Sequence, residues 1–228
     1  MKGKLIVFEG VEGSGKSTQI RRLSDWLRTY FDFQQLQIQG IVPDLIATRE
    51  PGGTALGNAL RALLLDSNSA IAVGASAELL LYAADRAQHV ETVIRPALQV
   101  GNWVLCDRFI DSTMAYQGYG RKLDKALVEQ LNQIATQGIP YHLTLWLQLN
   151  AEEGLNRSQS RGALDRMEQT SLAFHQRVQR GFEALAKAHP ERIVPIDASQ
   201  SEEQVAQQIQ TVVKQRIQAW YGTHLQDC

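Results

Sequence analysis

The sequence predicts a three-layer α/β fold, with a mostly parallel sheet of about five strands, helices on both faces and a small lid. Three observations carry that reading. Short apolar runs at 5–8, 45–48, 103–106, 142–149 and 192–196 alternate with stretches in which apolar residues recur every three or four positions. The first run leads directly into Gly10-Val11-Glu12-Gly13-Ser14-Gly15-Lys16-Ser17-Thr18, a glycine-rich turn that opens an amphipathic segment. With 228 residues, 44% of them apolar, the chain can bury one full core, so residues 1–228 read as a single domain.

Behind the glycine-rich turn, Ile20, Leu23, Leu27 and the Tyr30/Phe31 pair mark a helix from Lys16 to about Tyr30. Residues 33–43 are rich in Gln and closed by Gly40 and Pro43, which suits either an irregular excursion or a short extra strand. Leu45-Ile46-Ala47-Thr48 reads as a buried strand entering the rigid turn Arg49-Glu50-Pro51-Gly52-Gly53. A short helix over 56–65 and a loop over 66–74 precede a longer helix from near Ser76, with Leu79, Ala83, Ala87, Val90 and Ile94 as its apolar stripe. Trp103-Val104-Leu105-Cys106 is the next strand, ending in Asp107-Arg108, and 111–121, dense in hydroxyls and glycine, reads as a binding loop.

A helix over 123–137 stops at Gly138, a strand covers 142–149, and Asn150 with Glu153 gives a capping-box-like start to the next helix. Gly162 breaks that helix. The segment of about 150–170, carrying Arg157 and Arg161 on one face and then Asp165-Arg166, suits a lid that closes over phosphates. After a helix over 171–188, Pro195 cannot donate to a ladder, which marks the last strand as a sheet edge. The final helix starts near Ser201 and carries Val205, Ile209, Val212 and Ile217.

Composition narrows the partners. A formal net charge of −1 gives no basic field for a nucleic-acid polymer. No apolar segment approaches membrane-spanning length and no cleavable leader opens the chain. Cys106 and Cys228 do not make a disulfide framework, so the reading is a cytoplasmic protein in a reducing compartment.

The turn at 10–18 is a phosphate loop with its two anchoring glycines, Lys and Ser in place. Glycines let successive backbone N–H groups point inward around a polyphosphate, and the following helix aims its positive dipole end at the same anion. Lys16 would reach the β- and γ-phosphates of ATP and Ser17 would take one position on Mg²⁺. Asp107, at a neighbouring strand end, is the second candidate support for the cation, through water. Arg49 and Arg108 are candidate phosphate binders, while Tyr82 and Arg86, one helical turn apart, suit a nucleobase pocket.

No stretch resembles the His-Arg-Asp loop that supplies a base for a hydroxyl acceptor. A phosphate acceptor is already anionic and needs arginines instead, which Arg49, Arg108, Arg161 and Arg166 can supply. That points to a nucleoside monophosphate kinase. The competing readings are a kinase of a nucleoside or other hydroxyl, with Glu12 as its base, and a nucleotide switch or motor-type ATPase. Against the latter, there is no Asn-Lys-x-Asp motif and Asp107 is followed by Arg.

The blocks Phe8-Glu9-Gly10 through Thr18, Thr48 through Gly53, Tyr82-Ala83-Ala84-Asp85-Arg86, Asp107-Arg108, Ala115-Tyr116-Gln117-Gly118 and Arg161 through Arg166 together resemble the thymidylate kinases, in family order over almost the whole chain. The resemblance implies transfer of the ATP γ-phosphoryl to dTMP, with Mg²⁺, by a homodimer. It implies ATP at Gly10, Val11, Glu12, Gly13, Ser14, Gly15, Lys16, Ser17 and Thr18. It places Glu12 near the acceptor sugar and phosphate, Arg49 and Arg108 on the acceptor phosphate, Tyr82 against thymine, and Arg86 with Thr113 on its polar edge. Tyr116 would exclude a 2′-hydroxyl, with Gln117 close by. Because Gly13 stands where some members carry an arginine, Arg161 in the lid is the implied catalytic arginine beside Lys16 and Arg108. Two features depart from the common pattern: Tyr82 replaces a frequent Phe, and the 33–43 stretch is longer than the usual connection.

Overall fold

In the first strand, β1 (Lys4–Glu9), five of six residues are buried, as a continuous apolar run requires when helices cover both faces of a sheet. The computed structural model describes residues 3–67, 72–162 and 164–225. Cys228, the middle of the 66–74 loop and Ala163 of the 161–166 block lie outside these residues. β1 pairs in parallel with β3 (Trp103–Asp107) on one side and β4 (Leu143–Gln148) on the other. Adding β2 (Leu45–Arg49) and β5 (Ile193–Asp197) gives five parallel strands in the order β2-β3-β1-β4-β5. Pro195 sits in an edge strand, where its missing N–H costs no ladder bond.

Alternate strand residues feed two separate cores. Ile6, Phe8, Trp103 and Leu105 join one cluster, while Leu5, Val7, Val104 and Cys106 join the other. Against the first pack α1 (Lys16–Thr29), through Ile20, Leu23 and Leu27, and α10 (Glu202–Leu225), through Val205, Ile209, Val213 and Ile217. The second is covered by Val90, Ile94, Ala97 and Leu98.

Three local readings are corrected. Residues 33–43 are neither irregular throughout nor a strand: α2 (Phe31–Ile38) forms after Tyr30 takes an extended conformation that ends α1. Its anchors are Phe33 and Leu36, both fully buried, with Phe33 edge-on to Trp103 at 5.1 Å. Trp103 in turn donates to the Tyr221 hydroxyl at 3.1 Å, tying α10 to the sheet beside α2. The long helix from near Ser76 is α4 (Ala75–His89), after which a π-helical turn (Val90–Ile94) shifts the register into α5 (Arg95–Val100). The expected binding loop at 111–121 is helical: α6 (Ile110–Thr113) passes into a π-helical segment (Met114–Gly120).

The remaining helices are α3 (Ala55–Leu65), α7 (Lys125–Thr136), α8 (Ala151–Gln159) and α9 (Leu172–Ala188). Asn150 caps α8 by accepting from the Glu152 and Glu153 N–H groups, but Glu153 does not reach back to close a capping box. Its carboxylate pairs with Arg157 at 2.5 Å instead. Among the described residues, no helix is long and apolar enough to cross a membrane.

Candidate active site

The loops leaving the C-terminal ends of β1, β2 and β3 meet, as they do at ligand crevices of open parallel sheets. The loop after β1 needs its glycines for space as well as conformation. Gly13 has φ +69°, and a Cβ there would stand 2.2 Å from the Gly154 carbonyl oxygen, so the loop is pressed directly on α8. Gly15, also left-handed, then leads into α1.

Lys16 is nearly buried and its ammonium folds back onto the loop, donating to the carbonyls of Gly10 (3.1 Å) and Val11 (2.9 Å) and to Ser14 Oγ (3.3 Å). Burial, with Arg108 next, lowers its pKa to about 8. Ser17 Oγ donates to Asp107 Oδ2 at 2.9 Å, which sets a hydroxyl and a carboxylate side by side at the loop mouth. These two hard oxygen donors fit Mg²⁺. Among the described residues no cluster of three or more His, Cys, Asp or Glu could hold a metal ion.

Arg108 adopts φ +68°, a left-handed conformation that costs a non-glycine residue about 1–2 kcal/mol. The strain aims its guanidinium inward, where it donates to Gly10 O (3.0 Å), Ser112 Oγ (3.0 Å) and Glu12 Oε1 (3.2 Å) and lies 4.9 Å from the Tyr116 ring centre. Glu12 Oε1 also accepts from the Tyr116 hydroxyl at 2.5 Å. Burial alone would raise the Glu12 pKa, but His175, Arg108 and Lys16 hold its carboxyl well below the usual range. Behind this group, the buried Glu9 accepts from the Phe109 N–H (2.9 Å), the Ser112 N–H (3.0 Å) and Ser112 Oγ (2.5 Å), fixing the turn that follows Arg108.

The wall of the cleft formed by the turn after β2 and by α4 rests on a buried network. Glu50, on the turn after β2, accepts from Arg86 Nε (2.8 Å) and pairs with His89 Nδ1 (2.9 Å), whose other nitrogen meets Thr48 Oγ1 at 2.7 Å. Arg86 donates further to Asn132 Oδ1 (2.9 Å) and the Phe109 carbonyl (3.1 Å), and still borders the cleft. Gly52 N–H donates to Asp85 Oδ1 at 3.1 Å, joining the turn to α4.

One cleft brings together Glu12, Gly13, Gly15, Lys16, Ser17, Thr18, Arg49, Tyr82, Arg86, Asp107, Arg108, Thr113, Tyr116, Gln117 and Arg161. Gly10, Val11 and Ser14 shape the loop from behind, all three through the Lys16 contacts. Gln117 also donates to Glu78 Oε1 at 2.9 Å. Arg161 lies at the rim, its side chain 66% exposed, bonded to Ser158 Oγ (2.9 Å) and 3.5 Å from Glu168. Arg166, expected among the phosphate-facing arginines, is committed elsewhere, donating to the Leu64 carbonyl (2.5 Å) and pairing with the buried Glu78 (2.7 Å). Arg157 turns away to the Ala198 carbonyl and Glu153. Arg61, which the sequence reading passed over, lines the cleft while donating to the Pro51 carbonyl at 3.0 Å. Its helix carries no local mark of that role, because only the α3 packing points it there.

Comparison with known proteins gives the family. The family model described as thymidylate kinase matches residues 8–209. The thymidylate kinase of a Cyanothece species is 56% identical over 97% of both chains. That of Trichodesmium erythraeum is 55% identical, covering 96% of this chain and 99% of its own. A crystal structure of thymidylate kinase from Ehrlichia chaffeensis superposes with a TM-score of 0.72 at 32% identity, over 92% of this chain and 98% of that one. A phosphate loop facing a cleft of converging arginines, in a chain with relatives this similar end to end, places it in the thymidylate kinase family.

Proposed function

We propose that this chain transfers the γ-phosphoryl of ATP to dTMP, giving dTDP and ADP, as a single domain whose residues of about 150–170 act as the lid. The observation that carries the reading is the convergence of Lys16, Arg49, Arg61, Arg108 and Arg161 on one cleft. Five cations suit two polyanionic substrates that must approach each other.

ATP phosphates enter the phosphate loop, and Lys16 exchanges its present carbonyl partners for the β- and γ-oxygens. Ser17 and Asp107 would hold Mg²⁺, which when bound offsets charge on the phosphate oxygens. Arg49 and Arg108 orient the dTMP phosphate as the attacking anion. Its thymine lies against Tyr82, with Arg86 and Thr113 at the polar edge, while Glu12, Tyr116 and Gln117 border the sugar. Arg161, exposed at the rim, exchanges its Ser158 and Glu168 partners for the transferring phosphoryl when the lid closes. No general base is required, since the acceptor oxygen is already ionised.

The working unit is a cytoplasmic homodimer. Initial rates of ADP release with Mg²⁺-ATP, measured against thymidine and the monophosphates of thymidine, uridine, cytidine, adenosine and guanosine, test the proposal. Strong preference for dTMP is expected. Turnover with thymidine and none with dTMP would favour a hydroxyl-acceptor kinase instead.

A further inference from the structure

His175, on the first turn of α9, is 1% exposed and makes two polar contacts. Its Nε2 lies 2.9 Å from Thr170 Oγ1, and its Nδ1 lies 3.3 Å from Glu12 Oε2. Thr170 has one hydroxyl proton, which it donates to the Met167 carbonyl at 2.5 Å. The Thr170 oxygen must therefore accept, so Nε2 of His175 bears a proton. In a neutral imidazole the other nitrogen would then be a bare lone pair. That lone pair would face a carboxylate oxygen inside the protein, and neither Nδ1 nor Oε2 has another hydrogen-bond partner. Two buried acceptors confronting each other are costly.

We infer that His175 is doubly protonated in the folded protein, pairing with the inner oxygen of Glu12 and acting as a positioning residue for it. The groups around the pair fit this assignment. The outer oxygen Oε1 is taken by Tyr116 and Arg108, and Lys16 lies near enough to favour the ionised carboxylate. The contact is long for a charge-assisted hydrogen bond and is best described as an ion pair.

Two consequences follow for the acceptor subsite. Glu12 is neutralised from behind, so it draws less on Arg108, which it meets at 3.2 Å, when a phosphate binds. The chain Met167–Thr170–His175–Glu12 also links the lid's end to the phosphate loop, so the carboxylate orientation depends on how the lid base is seated. The role of Glu12 at the acceptor rests on the function proposed above, whereas the protonation state does not.

The test has two arms. In wild-type protein at pH 7.5, ¹⁵N–¹H NMR of labelled histidines should show both ring nitrogens of His175 protonated; a single-proton tautomer overturns the inference whatever the activity. In kinetics, His175→Phe should raise KM for dTMP about tenfold or more while kcat changes less than about threefold. In a Glu12→Gln background the same substitution should have little further effect. An equal penalty in both backgrounds, or an unchanged KM, would reduce His175 to packing. His175→Gln, which keeps a donor toward Glu12, should recover part of the loss and covers the case in which the Phe variant folds poorly. Absence of dTMP turnover in the wild type would instead remove the proposed function and leave the NMR result standing.

Discussion

Replacing Glu50 with Ala is the sharpest probe of the wall that holds Arg86. Both side chains are 2% exposed, and their carboxylate–guanidinium contact is 2.8 Å. Removing the carboxylate leaves Arg86 with two neutral acceptors, Asn132 Oδ1 and the Phe109 carbonyl, and leaves His89 without its Nδ1 partner. An uncompensated buried charge of this kind costs about 3–5 kcal/mol. For a domain of this size that lowers Tm by roughly 6–20 °C. Urea unfolding with a fixed m-value measures the loss, and KM for dTMP should rise with it because Arg86 is no longer held against the cleft. Glu50→Gln keeps the shape and one acceptor, so it should lose less, about 1.5–3 kcal/mol. If Glu50→Ala were within about 1 kcal/mol of wild type, the buried pair would not be what fixes Arg86 and the reasoning fails.

Arg161→Ala should cut kcat by roughly 10³ with nucleotide affinity nearly intact, as pre-steady-state kinetics and titration calorimetry can separate; an unchanged kcat would leave Arg161 a rim charge. Gly57→Ala would set a Cβ 2.3 Å from Asp85 Oδ1, so the start of α3 must move, with an expected loss of about 1–3 kcal/mol in chemical denaturation. Burial, with Glu50 next, raises the Asp85 carboxyl to about 6. The folded state thus binds this proton more tightly than the unfolded chain, and its stabilising contribution, full below about pH 4, is lost as pH rises through 6. Relative to Asp85→Asn, the wild type should lose roughly 1–3 kcal/mol across that window, and parallel stability curves for the two proteins would contradict the assignment.

The sheet and phosphate loop were legible because buried parallel strands and the Lys-Ser loop write themselves as contiguous residues. The α2 helix was not: Phe33 and Leu36 are its only buried anchors, and Phe31 and Ile38 point to solvent, so no amphipathic stripe forms. The π-helical turns at 90–94 and 114–120 escaped because apolar spacing does not report a local change in hydrogen-bond register. Among site residues, Lys16, Arg108 and Tyr82 stand inside recognisable blocks, and the cleft gathers them. Arg166 misled because its block gives no sign of Glu78, 88 positions away, which claims its guanidinium. Arg61 and His175 gain meaning only from tertiary neighbours.

If the cleft brings the ATP γ-phosphoryl to a phosphate oxygen of dTMP, the fate of that phosphoryl is decisive. A single-turnover experiment with γ-³²P-ATP, excess enzyme and dTMP, quenched and resolved by nucleotide chromatography, follows that phosphoryl directly. Label is expected in the β-phosphate of dTDP and is lost in Lys16→Ala. Label released as inorganic phosphate, with dTMP unchanged, would contradict that transfer.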